Sequence, residues 1–138
     1  MPDDPSLFPT GISRHQLESL SSFADSAQGA SAGLLLSQAE EHAKNAEVAY
    51  LQNAIVNRRL AIAILDSIQA VLSRWSELPE SYKYWLGGAI RYFVSSNDEE
   101  PDFNSPIGFE DDVEVLNACL RFARLNDLCL AVEDYDDA

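Results

Sequence analysis

An all-α bundle of four to five helices is the fold this sequence predicts, and three observations carry it. Apolar residues recur every three or four positions along most of the chain, the spacing of a helix with one buried face. The six glycines and six prolines are few and stand mostly at the edges of those apolar runs. No stretch alternates apolar and polar residues between turn signals, as a half-buried strand or hairpin would. A chain of 138 residues suits one domain with a real hydrophobic core. An apolar fraction of 46% and a mean hydropathy of −0.16 place it among globular rather than disordered chains.

Residues 1–12 carry Pro2, Pro5 and Pro9 followed by Gly11, which forbids a helix and predicts a loose, polyproline-like arm. Ser13 and Gln16 have capping-box spacing, so a first helix is expected from Arg14 to Ala27, with Leu17, Leu20, Phe23 and Ala24 buried. Gly29 and Gly33 bracket its end. From Ser31 to Trp75 there is no proline and, after Gly33, no glycine. That run is either one long central helix or two helices joined near Asn53 to Asn57. Its second half shows the clearer period, through Ala61, Ile64, Leu65, Ile68, Val71, Leu72 and Trp75. A single long helix, half in the bundle and half projecting, would pair with a second copy of the chain.

Pro79 stops the run and opens the next helix, with Glu80 at the positive end of its dipole. This helix is expected over Glu80 to Ser96, burying Tyr82, Trp85, Leu86, Ala89, Ile90 and Phe93. Gly87 and Gly88 weaken an isolated helix by about 1 kcal/mol each. Their missing side chains also let a second helix approach closely. A loop punctuated by Pro101, Pro106 and Gly108 leads to a last helix starting near Asp111, where Asp111 and Glu114 have capping-box spacing. Val115, Leu116, Cys119, Leu120, Phe122, Ala123 and Leu128 supply its apolar side as far as Val132. The last two helices therefore form a helix–loop–helix hairpin, and residues 133–138 an acidic tail. Residues 13–132 read as a single helical domain.

The formal charge of −14 repels nucleic-acid backbones and anionic lipid surfaces, leaving basic proteins and cations as partners. Arg58-Arg59, the one adjacent basic pair, is too small for a nucleic-acid footprint. Cys119 and Cys129 fall ten residues apart on the expected last helix, about 15 Å along its axis and too far for a disulfide. No CxxC pair occurs, and both read as small core residues of a reduced protein. The opening MPDDPSLFPTG has neither a basic n-region nor an apolar run, and the most apolar stretch, Leu60 to Leu72, is interrupted by Asp66, Ser67 and Gln69. A cytoplasmic protein without membrane insertion is expected. Asp66 either pairs with Arg91 or Arg121 or faces solvent.

The stretch Tyr92 to Asp112 concentrates the chemistry. It carries seven carboxylates (Asp98, Glu99, Glu100, Asp102, Glu110, Asp111 and Asp112) and no lysine or arginine. Hard cations such as Ca²⁺ and Mg²⁺ take several carboxylate oxygens from a flexible turn, and Asp98, Asp102, Asp111 and Asp112 are the candidate ligands. An EF-hand is excluded by register: counted from Asp98, the sixth residue is Phe103 and the twelfth Phe109, where glycine and glutamate are required. The other reading has Asp98 and Asp102 holding turns and the later acids complementing a helix start. Neither reading needs a cofactor beyond a cation. His15 and His42 have no partner at ligand spacing, and HExxH, P-loop, GxSxG and GxGxxG patterns are absent. The chain reads as a non-enzymatic protein.

The same stretch resembles the signature of the YkvA-like family, a bacterial group described as a domain of unknown function. That signature is a tyrosine-ended apolar helix, then Ser-Pro-x-Asp-x-Ile-Pro-Asp-Phe, then proline, glycine and an Asp-Asp pair entering a helix. Tyr92, Ser95, Asp98, Pro101-Asp102-Phe103, Gly108 and Asp111-Asp112 fall at matching positions, and Leu78-Pro79 and Lys83 look similar upstream. Ser96 replaces the usual proline, Glu100 the usual isoleucine, and Pro106 comes one place late. The resemblance covers Leu78 to Leu116 and implies a helix–turn–helix hairpin with Tyr92, Ser95, Pro101, Phe103 and Gly108 as its structural motif. It implies no reaction. Together with the charge, it points to an accessory or interaction module that meets a basic protein partner.

Overall fold

The computed structural model describes residues 8–52, 58–94 and 110–131, with backbone alone at 49, 50, 52, 58, 110 and 111. Five helices follow in order: α1 (Arg14–Ala27), α2 (Ala32–Gln52), α3 (Arg58–Ser73), α4 (Glu80–Val94) and α5 (Glu110–Phe122). Single 3-10 turns occupy Trp75–Glu77 and Asn126–Leu128, and there is no strand among the described residues. The protein is the expected all-α bundle.

Local signals set most helix starts. The Gln16 N–H donates to Ser13 Oγ at 3.0 Å and the Ser13 N–H returns a bond to Gln16 Oε1 at 2.9 Å, closing the capping box of α1. Gly29 follows that helix with φ +81°, a conformation that suits glycine. Ser31 caps α2 by accepting from the Leu34 N–H at 3.1 Å. Gly33 therefore lies inside the first turn of α2 and does not bracket the end of α1, a correction to the sequence expectation.

The run from Ser31 to Trp75 is two helices. α2 and α3 pack against each other, which the two halves of one straight helix could not do. The expected break, Asn53 to Asn57, lies outside the described residues. α3 stops at Ser73, so Trp75 belongs to the 3-10 turn that follows it.

Packing is organised around α4, which touches α1, α2 and α5. Leu86, Gly87, Gly88, Ala89 and Ile90 are buried in succession. Five consecutive buried residues span more than one stripe of a helix, so α4 is enclosed on several sides. Its closest neighbour is α1. A Cβ built on Gly88 would lie 2.8 Å from Ala24 Cβ and 2.9 Å from both Ala24 Cα and Ala24 N. The backbones meet there, as the glycine pair suggested. Leu20, Leu35, Leu60, Ile64, Ile68, Phe93 and Leu120 fill the shared core.

α5 begins at Glu110, beside the expected start near Asp111. It ends at Phe122, ten residues short of Val132. The Leu125 N–H donates to the Leu120 carbonyl at 2.8 Å and the Arg124 N–H to the Arg121 carbonyl at 3.1 Å, with Arg124 at φ +62°. These are the two bonds of a Schellman stop, and the buried Leu120 and Leu125 supply its apolar contact. Cys119 and Cys129 are consequently not on one helix, although both are free thiols as expected.

The end of the N-terminal arm is also ordered against the bundle. Pro9 is buried, Ile12 packs on the core, and Arg121 Nη2 donates to the Thr10 carbonyl at 3.4 Å. For residues 8–12 this replaces the loose arm expected from the prolines.

Candidate functional site

The stretch singled out in the sequence joins α4 to α5, and its described part is a buried aromatic and acidic junction. At the end of α4, Tyr92 and Phe93 are 2% and 1% exposed. The Tyr92 ring meets Phe23 of α1 edge-on at 5.8 Å, and the Phe93 ring meets His42 of α2 edge-on at 4.9 Å. His42 is thus a buried residue of the core, 6% exposed. At the start of α5, Asp112 is 1% exposed and the neighbouring Val113 equally buried. A carboxylate this deep is costly unless compensated, so Asp112 belongs to the interior architecture of the hairpin rather than to its charged surface.

Of the four expected cation ligands, Asp112 alone has a described side chain. Asp98 and Asp102 lie outside the described residues, and Asp111 is described in backbone only. Among the motif residues Tyr92 is described, whereas Ser95, Pro101, Phe103 and Gly108 lie outside. The described residues contain no group of three or more histidine, cysteine or acidic side chains able to hold a metal ion. Upstream, Leu78 packs partly on the core, and Lys83 pairs with Glu80 at 3.5 Å on the first turn of α4. Asp66 faces solvent, the second of its two expected placements.

The charge is unevenly placed. Residues 8–94 and 112–131 hold all nine basic residues but only eleven of the 23 acidic ones. The other twelve acids are Asp3, Asp4, Asp98, Glu99, Glu100, Asp102, Glu110, Asp111, Glu133, Asp134, Asp136 and Asp137. The helical body is thus close to neutral, and nearly all the excess acid belongs to the N-terminal arm, the α4–α5 connection with its helix start, and the tail.

A second feature was not foreseen. After the Schellman stop the chain turns back and residues 128–130 are fastened between α3 and α5. Ser67 Oγ donates to the Leu128 carbonyl at 2.7 Å. The Asn117 carboxamide takes both backbone groups of Leu130: Nδ2 donates to its carbonyl at 2.8 Å and Oδ1 accepts its N–H at 2.9 Å. One side chain thus does for Leu130 what a neighbouring strand would do. Asn117 and Ser67, polar residues set beside apolar positions of α5 and α3, were the available signal. A groove of about 490 Å³ runs beside this strap, lined by Arg59, Ile62, Ala63, Asp66 and Asp127–Leu130.

Neither thiol is set up as a nucleophile. Full burial pushes Cys119 strongly upward. Partial burial also raises Cys129, with Arg121 opposing and Asp127 adding to the rise. Tyr84 is raised too, first by donating its hydroxyl to Asp25 Oδ1 at 2.5 Å and then by burial. Reactive groups matched for acid–base or covalent chemistry are not assembled among the described residues. No described helix is long and apolar enough to cross a membrane. Compared with protein-family models, curated proteins and solved structures, the chain matches none.

Proposed function

We propose that this chain is a YkvA-like, cytoplasmic, non-enzymatic interaction module that presents acidic segments to a basic protein partner. The carrying observation is the segregation of charge. A nearly balanced helical body bears three segments that hold twelve acids. A solvating surface would need no such concentration, whereas a basic partner gains both steering and specificity from it. The α4–α5 hairpin supplies a rigid base for the central segment, because Tyr92, Phe93, Asp112 and Val113 are all buried at its two ends. The same concentration of carboxylates disfavours nucleic acid. Pairing with a second copy through the helical run 31–75 belongs to this reading as well.

The test is affinity capture with the full chain and with a variant carrying Asp98→Asn, Glu99→Gln, Glu100→Gln and Asp102→Asn. The wild type is expected to retain basic proteins that elute as salt rises, and the variant to retain far less. Recovery of neutral or acidic proteins only, or of none, removes the proposal's support.

A second reading is a Ca²⁺ or Mg²⁺ site built from Asp98, Asp102, Asp111 and Asp112. The observation favouring it is the concentration of carboxylates between Asp98 and Asp112 in the sequence, since hard cations take several carboxylate oxygens from one turn. Calorimetric titration with each cation decides it. Heat and a raised melting temperature are expected on this reading, and their absence at millimolar cation would sink it.

A further inference from the structure

Helix α2 has two opposed faces. Leu35, Ala39, His42 and Ala46 point into the bundle and are buried. On the opposite side Leu34, Ser37, Glu41, Lys44, Val48 and Leu51 are all exposed, with Leu34, Val48 and Leu51 at 47%, 49% and 77%. Those six positions advance by three and four residues in turn, the spacing of a coiled-coil seam. Three of the four large exposed apolar side chains noted among the described residues belong to it. α2 needs no such stripe for its own fold, because the bundle covers the other face.

We propose that this face pairs with the same face of a second copy, the two α2 helices running antiparallel about a two-fold axis between His42 and Ala43. The register follows from equal distances to that axis. Leu34 meets the partner's Leu51, Ser37 meets the partner's Val48, and Glu41 meets the partner's Lys44. Each contact occurs twice, as an isologous interface requires. The apolar pairs lie at the two ends and the two opposite-charge pairs at the centre. Charge also sets direction. A parallel pairing would put Glu41 on the partner's Glu41 and Lys44 on the partner's Lys44, a like-charge arrangement that antiparallel pairing converts into two ion pairs. Opposing this, Glu40 and Glu47 flank the seam and each copy carries a formal charge of −14, so association is weak and reversible. The contact spans about 26 Å of helix, in the range of small interfaces.

This pairing rests on the reading of the chain as an interaction module but not on the basic partner. A monomeric protein that still captures basic proteins defeats the pairing alone, and a dimer that captures none defeats the other reading alone. Sedimentation equilibrium of the full chain from about 1 to about 500 µM, which spans weak to moderate affinities, measures it. The wild type is expected to dimerise within that range. E41K and K44E, each placing like charges at the centre, are expected to weaken dimerisation at least about tenfold, the equivalent of ~1.4 kcal/mol. An equimolar mixture of the two is expected to recover the dimer, as is the doubly swapped E41K/K44E chain. Orientation is read by disulfide trapping in a C129S background: L34C mixed with L51C crosslinks, whereas neither does so alone. Unchanged melting of all variants in dilute solution shows that the surface, and not the fold, was altered. A wild type monomeric throughout, charge variants that dimerise like the wild type, a mixture or double swap that stays monomeric, or L34C crosslinking to itself would each overturn the proposal.

Discussion

Replacing Gly88 by alanine tests the packing of α1 on α4, and the structure gives opposite outcomes for two adjacent glycines. At Gly88 an added Cβ meets Ala24 Cβ at 2.8 Å and two Ala24 backbone atoms at 2.9 Å, against ordinary contacts of 3.4–4 Å. Backbone cannot rotate away, so α1 must move off α4 and loosen Leu20, Ala24 and Ala27. Overpacking of this kind costs about 1–3 kcal/mol, and the larger end applies because three atoms are affected. Alanine returns about 1 kcal/mol through helix propensity. The net expectation for Gly88→Ala is a loss of about 2 kcal/mol, a fall in Tm of roughly 5–8 °C for a domain of this size. At Gly87 the nearest atoms are Ala27 Cβ at 3.4 Å and Trp75 at 3.9 Å, so Gly87→Ala keeps most of the propensity gain and is neutral to about 1 kcal/mol stabilising. Adding Ala24→Gly to Gly88→Ala should not rescue it, because the Ala24 Cα and N positions remain. Urea unfolding of the three variants, with a common m-value, supplies the comparison. A Gly88→Ala protein as stable as the wild type, or full rescue by Ala24→Gly, would refute the backbone-contact argument.

Further expectations concern the C-terminal strap and two ionisable groups. Arg124 stands at φ +62°, so Arg124→Gly should stabilise the protein by about 0.5–1 kcal/mol, read as a raised urea midpoint. Asn117→Ala removes both bonds to Leu130 and should cost about 1–3 kcal/mol, with hydrogen exchange accelerated at the Leu130 amide before the core opens. Raised thiol pKa values mean less thiolate than in a free cysteine at pH 7 to 8. Disulfide-exchange labelling of the native protein should therefore be slow at Cys129, absent at the buried Cys119, and faster as pH rises. The Tyr84 phenol is raised in the folded protein, so its contribution is complete below about pH 10 and is lost as pH rises through the folded value. Tyr84→Phe should flatten that alkaline decline and, because the bond to Asp25 is lost, slightly lower the melting temperature at neutral pH.

How far the sequence disclosed the fold depends on the range of each interaction. The Ser13–Gln16 box, the proline before α4 and the close approach at Gly88 all rest on residues near in sequence or on a missing side chain, and they could be read directly. The stop of α5 could not, because apolar spacing continues through Leu125 and Leu128 while the left-handed residue is Arg124, where glycine or asparagine is usual. The strap was hidden for a related reason: Ser67 reaches Leu128 across 61 positions, and no periodicity encodes such a bond. The period of α2 was weaker than that of α3, and both its two faces and its hairpin with α3 required the structure itself. At the α4–α5 connection, the sequence identified the acidic concentration and the structure adds the burial of Tyr92, Phe93 and Asp112 at its ends. Asp112 would have been counted among surface acids by composition alone, since an aspartate within an acidic run carries no sign of burial.

The central claim, that segregated acidic segments and not the helical faces meet a basic partner, is tested most directly by an NMR titration of the ¹⁵N-labelled chain with an octalysine peptide. The account predicts amide shifts concentrated in residues 1–7, 95–111 and 132–138, diminishing as salt screens the charges. Shifts spread over the exposed faces of α1 to α4, or no shift at low salt, would contradict it.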